Sequence, residues 1–157
     1  MITVMSIVYK PKSEKDQHGN VGYLRRPLSE AVLLADFGIE GDRKGGHPRR
    51  NLNIMDDVTL AELKGEGYPT EPGSLGENLI LAGVDLRTLP EDAQLRIGSE
   101  AVIALVSGRV PCEQLTLLDE RMPESVQGRV GVMCRVVKSG PIKVGDPVAI
   151  ISELVTQ

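Results

Sequence analysis

At 157 residues the chain is long enough for one domain with its own core, and a 41% hydrophobic fraction can fill that core. The net charge of -4 argues against a general nucleic-acid-binding surface, which needs basic charge to displace counterions from phosphates. Two cysteines are too few for a disulfide framework, and no apolar run approaches membrane-spanning length.

With one Phe, three Tyr and no Trp, the core must come from Val, Ile, Leu, Ala and Met, which suits short strands with small inward side chains. The 17 glycines and 10 prolines predict many turns rather than a helical bundle. The segment Met1 to Tyr9 has no basic leader. A reducing cytoplasm is therefore the expected location, with neither nucleic acid nor membrane as partner.

In chain order, residues 1–10 read as a first strand and Pro11 to Asn20 as a polar loop. Glu30 to Phe37 is a second predicted strand, with a continuous apolar run from Ala31 to Ala35. Gly38 to His47 cannot be a regular element, because four of the nine residues from 38 to 46 are glycine. Asn51 to Met55 reads as a short strand, and Asp56 or Asp57 can cap a helix over Val58 to Lys64. Gly65 and Gly67 end that helix, and Pro69 prevents its resumption. Glu77 to Ala82 is the next strand. Leu95–Ile97 and Ala101–Val106 read as a hairpin turning at Gly98-Ser99, and Gly131 to Lys138 as a strand. Ile142–Val144 and Val148–Ile151 read as a second hairpin, turning at Gly145-Asp146. The segments Leu95–Ile103 and Ile142–Ile150 resemble each other, each running apolar, basic, apolar, Gly, turn, strand. The pattern predicts a mostly β, barrel-like fold of short, largely antiparallel strands with a few short helices, spanning residues 1–157 as one domain.

Four segments carry candidate chemistry. Arg109-Val110-Pro111-Cys112 follows a strand that ends at Ser107-Gly108, and Pro111 suits the first position of a helix over Cys112 to Met122. The unpaired N–H groups of a first helical turn and the nearby Arg109 favour thiolate over thiol. A thiolate there can bind a soft metal or carry sulfur, and this setting favours that reading over a small buried hydrophobe. Cys134, inside the apolar strand with Val132 and Val136 on its face, reads as core.

The second segment is the loop Gly38–Gly46 with its flank His47 to Arg50, and from Asp42 to Arg50 it carries a local charge of +3 from Arg43, Lys44, Arg49 and Arg50 against Asp42. Glycine amides and arginine forks suit a phosphate-bearing ligand, and a solvated turn accounts for the pattern equally well. The third, Gly73 to Leu79, places Glu77 and Asn78 where they could orient a ligand, although its glycines also make an ordinary turn. The fourth, Gly128-Arg129-Val130-Gly131, offers Arg129 as a further anion contact or as a polar loop end. No His and Cys cluster has zinc spacing, and no Ser-His-Asp nucleophile set is visible.

These segments, in this order and with the closing Gly145-Asp146, resemble the MOSC domain, named for the C-terminal part of molybdenum-cofactor sulfurases. The resemblance runs from Ile2 to Ile150. It implies a compact β barrel and molybdenum-cofactor or sulfur chemistry. In the family's reductases of N-hydroxylated compounds, the matching cysteine binds molybdenum and the cofactor's phosphate sits among basic residues. Carried over, Cys112 becomes the metal ligand and catalytic centre. Arg43, Lys44, His47, Arg49, Arg109 and Arg129 become phosphate contacts, and Asn78 an orienting group. At Lys44 many family members carry histidine. The sulfurases' pyridoxal-phosphate domain has no room in this chain, so pyridoxal phosphate is not expected.

Three functions follow as expectations. The first is a molybdenum-cofactor enzyme reducing N-hydroxylated or N-oxygenated compounds, with electrons from a separate donor protein. The second is a non-catalytic persulfide carrier or cofactor-delivery module, supplied by a sulfur donor protein. The third is a small-anion-binding domain with an inert Cys112.

Overall fold

The computed structural model describes residues 1–11, 25–43, 45–108 and 129–151. In chain order the elements are β1 (Ile2–Tyr9), β2 (Arg26–Leu28), β3 (Glu30–Leu34), β4 (Gly38–Ile39), β5 (Leu52–Asp56), α1 (Asp57–Gly65), β6 (Leu79–Ala82), β7 (Gln94–Ile97), β8 (Ala101–Gly108), β9 (Val132–Lys138), β10 (Gly140–Lys143) and β11 (Pro147–Ile151). A single 3-10 turn spans Leu86–Thr88.

Seven strands close into a barrel in the order β11-β7-β8-β9-β5-β6-β1, with β1 returning to pair with β11. The fold is mostly β, as the composition and turn spacing predict. Every pairing in the ring is antiparallel except β5 with β6. A parallel pair needs a crossover, and α1 lies in it. Asp56 caps α1 by accepting the Thr59 amide.

The inner faces of the strands supply the barrel core, including Val4, Ile7, Ile54, Leu79, Leu95, Ile103, Cys134 and Val136. A second cluster lies under α1, where Leu60 and Leu63 meet Met55 of β5, Ile80 of β6 and Val130. All five residues of β5 are buried for this reason: the barrel interior covers one face and the second cluster the other. The smaller sheet, β10-β3-β4, adds Leu33, Ile39 and Ile142 to the barrel core.

Three boundaries differ from the sequence pattern. The second strand ends at Leu34, because Ala35 to Phe37 turn and Asp36 takes a positive φ. Gly38–Ile39 forms a two-residue strand on β3 inside the glycine-rich loop. Strand β2, which contains Pro27, is not among the strands the sequence predicts; among the described residues it pairs only with β1, and it lies outside the closed ring. The predicted loop beyond Pro11 and the predicted helix at Cys112 to Met122 fall outside the described residues.

The second hairpin is a correction. Strands β7 and β8 form the predicted hairpin, but β10 and β11 do not pair with each other. Strand β10 joins β3, while β11 joins β7 and β1. The cause is β1: the Val4 amide donates to the Asp146 carbonyl, and the Gly145 amide donates to the Val4 carbonyl. The corner's backbone groups are satisfied by a third strand, so the chain changes sheets there instead of folding back.

Gly131 and Gly145 both have positive φ, at 103° and 96°. A Cβ on Gly131 would lie 2.6 Å from the Ile54 carbonyl oxygen, whereas one on Gly145 would meet nothing within 4 Å. Gly145→Ala should cost about 1–2 kcal/mol from conformation alone. Gly131→Ala should cost more than about 3 kcal/mol, since strand β5 must also shift. Equilibrium denaturation of the two variants checks this; equal losses would contradict it.

Candidate functional site

The buried amide of Asn78 organises one end of the barrel. Its Oδ1 accepts the Asn53 amide at 3.0 Å, and its Nδ2 donates to the Val8 carbonyl at 3.2 Å and to Asp42 Oδ2 at 3.4 Å. Asp42 is only 1% exposed, and its Oδ1 accepts the Lys10 amide at 2.9 Å. The Arg43 amide donates to the Lys10 carbonyl at 2.7 Å. The glycine-rich loop is thus tied to β1, β5 and the entry to β6.

The motifs Gly38–Arg43 and Gly73–Leu79 therefore meet directly. Asn53 brings in the motif at Gly131: its Nδ2 donates to the Gly76 carbonyl, and Gly131 packs against its Oδ1. The motif with Arg109 and Cys112 lies outside the described residues, as does Lys44. The residues on either side of that segment are placed. Gly108 pairs with Val132, Val132 with Ile54 and Ile54 with Leu79, forming one row across three strand boundaries. That row is about 14 Å long at ordinary strand spacing. The chain therefore leaves at Gly108 on the row that ends beside Asn78.

The carboxylates here are held by backbone amides. Glu77 accepts from Gly73 at 2.6 Å and from Leu75 at 3.3 Å, which shapes the loop. Tyr9, Lys10, Arg25, Asp42, Gly76 and Asn78 share one small cleft. Lys10 and Arg25 were not singled out by sequence reading. Asn53 was also missed, although Asn51-Leu52-Asn53 gave a signal: asparagine is depleted in strands, and two flanking a core leucine call for dedicated partners.

The remaining predicted residues separate. His47 is exposed, and its Nδ1 accepts the amides of Arg49 and Arg50 at 3.1 and 3.0 Å. It shapes its own turn and leaves Nε2 outward. Arg49 is exposed on the same turn. Asn78 is 8% exposed with both amide atoms engaged, so its part is to position the loop. Arg129 does not join the cleft. It pairs with Glu66 and, at 3.8 Å, with Glu62, and the Glu66 hydrogen bonds hold its guanidinium above its ordinary pKa.

Among the described residues, no group of His, Cys, Asp or Glu is arranged to hold a metal ion, and no helix is long and apolar enough to cross a membrane.

Fold and site together define a closed mixed barrel with a glycine-rich basic loop clamped at one end by buried amides. A MOSC domain model matches residues 41–149, and the chain belongs to the MOSC domain family, which is linked to the molybdenum cofactor. Solved structures share the fold. YiiM from Geobacillus stearothermophilus has a TM-score of 0.76 at 18% identity, over 99% of this chain and 78% of that one. YiiM from Escherichia coli has a TM-score of 0.71 at 22% identity, over 96% and 70%. The YUAD protein from Bacillus subtilis has 0.67 at 20% identity, over 94% and 97%. No curated protein matches the chain in sequence.

Cys134 is fully buried in the barrel core, and burial pushes its thiol well above the ordinary 9.0. The unfolded chain ionises this thiol above about pH 9, while the folded chain keeps it protonated. Its stabilising effect is therefore complete below that pH and is lost as pH rises, at up to about 1.4 kcal/mol per unit. Denaturant unfolding between about pH 8 and pH 10 should show a steeper alkaline loss in wild type than in Cys134→Ala. Equal slopes would contradict the assignment.

Proposed function

We propose that the chain binds a molybdenum cofactor, with Cys112 as the metal ligand and the basic residues around Asn78 as the site for the cofactor's phosphate. The observation that carries this reading is the clamp of Asp42 to Asn78, which joins two of the family motifs at one cleft. The donor chemistry fits. Lys10 and Arg25 line the cleft beside Asp42 and Glu77, which accept backbone amides there, and the Arg43 amide bonds the Lys10 carbonyl. A phosphate dianion suits lysine and arginine donors supported by glycine-rich backbone.

The residues divide the work. Asp42 and Asn78 fix the loop, and on this reading Lys10 and Arg43 contact the phosphate. Lys44, Arg49 and Arg109 are further phosphate contacts, and His47 holds the turn that carries Arg49. Cys112, as thiolate, gives the metal a soft ligand on the segment that starts at Gly108. The bound cofactor supplies a metal centre able to pass electron pairs to a substrate. On this reading the chain reduces N-hydroxylated or N-oxygenated compounds and takes its electrons from a separate donor protein, in the cytoplasm.

Metal analysis after expression in a cofactor-producing host tests the proposal. About one molybdenum per chain is expected in wild type, near none in Cys112→Ser, and a several-fold loss in Arg43→Ala. Arg129→Gln should retain its metal, because that guanidinium is engaged by Glu66 and Glu62. Metal-free wild type, or full metal in Cys112→Ser, would contradict the reading. A persulfide on Cys112 in metal-free protein would replace it with sulfur carriage.

A further inference from the structure

A cavity of about 200 Å³ opens between the start of α1 and the barrel wall. Met55, Leu86, Leu105 and Val132 give it an apolar floor, and Thr59 and Ser107 add hydroxyls. Of its lining, Gly108 and Val132 lie on the row from Gly108 to Leu79, Met55 and Gly131 on one side of it and Ser107 and Leu105 on the other, and none of these residues lines the cleft at Asn78.

Thr59 is the unusual member. It is 3% exposed, and its Oγ1 has no hydrogen-bond partner among the described residues. The reason is its position in α1. A helical threonine ordinarily turns its hydroxyl back to the carbonyl four residues earlier. For Thr59 that residue is Met55, which belongs to strand β5. Asp56 does not serve as a substitute; its two oxygens face the Thr59 amide at 2.6 Å and the Leu86 amide at 2.9 Å, and the Thr59 hydroxyl bonds neither. A buried hydroxyl without a partner carries a free-energy cost, which a ligand can remove by bonding to it.

The charges around the cavity decide what kind of ligand fits. Arg87 and Arg129 line it, but neither is available to an anion. Arg87 bonds Glu62 and Asp85, and Arg129 bonds Glu66. Asp56 and Glu91 also line the cavity, so its two guanidiniums are engaged by three carboxylates outside it while two further carboxylates border it. An anionic ligand is therefore disfavoured. A cavity of about 150 Å³ holds a benzene ring, so this one accepts a ring with a small polar substituent.

We infer that this cavity is a binding site for an uncharged or cationic one-ring molecule whose polar group hydrogen-bonds the Thr59 hydroxyl. The inference is independent of the molybdenum reading and is tested on metal-free protein. Benzamide, benzamidine and benzoate have the same shape and differ in charge. In two-dimensional amide NMR of the full chain, benzamide and benzamidine should shift Thr59, Leu86 and Val132 saturably, with benzoate at least about tenfold weaker. Thr59→Val keeps the shape and removes the hydroxyl. It should melt no lower than wild type and bind benzamide about tenfold more weakly. Ser107→Phe, which fills the cavity from β8, should abolish binding.

Absence of saturable shifts at those amides with benzamide would overturn the inference. So would benzoate binding as tightly as benzamide, or unchanged benzamide affinity in Thr59→Val. A markedly lower melting temperature for Thr59→Val would show that the hydroxyl already has a partner, and would overturn it too.

Discussion

Asn78 joins three separate segments through one side-chain amide. It holds the β1 backbone at Val8, the β5 backbone at Asn53 and the loop carboxylate of Asp42. Strands β1 and β5 lie on either side of β6, which begins one residue later, so the bonds run across three neighbouring strands. Buried polar groups of this kind favour one arrangement strongly, because any slip leaves several donors and acceptors unsatisfied away from water. The glycine-rich loop has only a two-residue strand of its own, and it takes its position from this bond and from Lys10.

The same arrangement controls the local electrostatics. An acidic protein of net charge -4 would not be expected to present a basic site. Here Asp42 and Glu77 face inward onto backbone amides, while the cations beside them border the cleft. Around α1 the pattern is reversed. Glu62, Glu66 and Asp85 engage Arg87 and Arg129, and hydrogen bonds from Arg87 hold the Glu62 and Asp85 carboxyls below their ordinary range.

Much of the fold was legible in the sequence. Short apolar runs and turn residues marked β1, β7, β8, β9 and β11, and of the two caps the sequence offered for α1, Asp56 and Asp57, the structure uses Asp56. The core role of Cys134 followed from its register with Val132 and Val136. The second hairpin was misread because Gly145-Asp146 has local turn chemistry, whereas its partner is Val4, far away in sequence. Turn chemistry states that the chain bends; it does not state which strand satisfies the bend. The site was legible as motifs and illegible as a constellation. Arg43 and Asn78 stood out, but Lys10 and Arg25 are ordinary cations until β1 and β2 deliver them to the same cleft. Arg129 stood out for its glycine neighbours, and only the packing of α1 shows that Glu62 and Glu66 meet it.

The central claim is that the clamp around Asn78 is a fixed part of the barrel. Native-state amide hydrogen exchange of Lys10 and Asn53 tests it most directly, since these amides donate to Asp42 and Asn78. The account predicts that both exchange only through global unfolding, with the same denaturant dependence as the core amides of β5 and β8. Exchange of either amide through local opening, independent of denaturant, would show that the loop is held some other way.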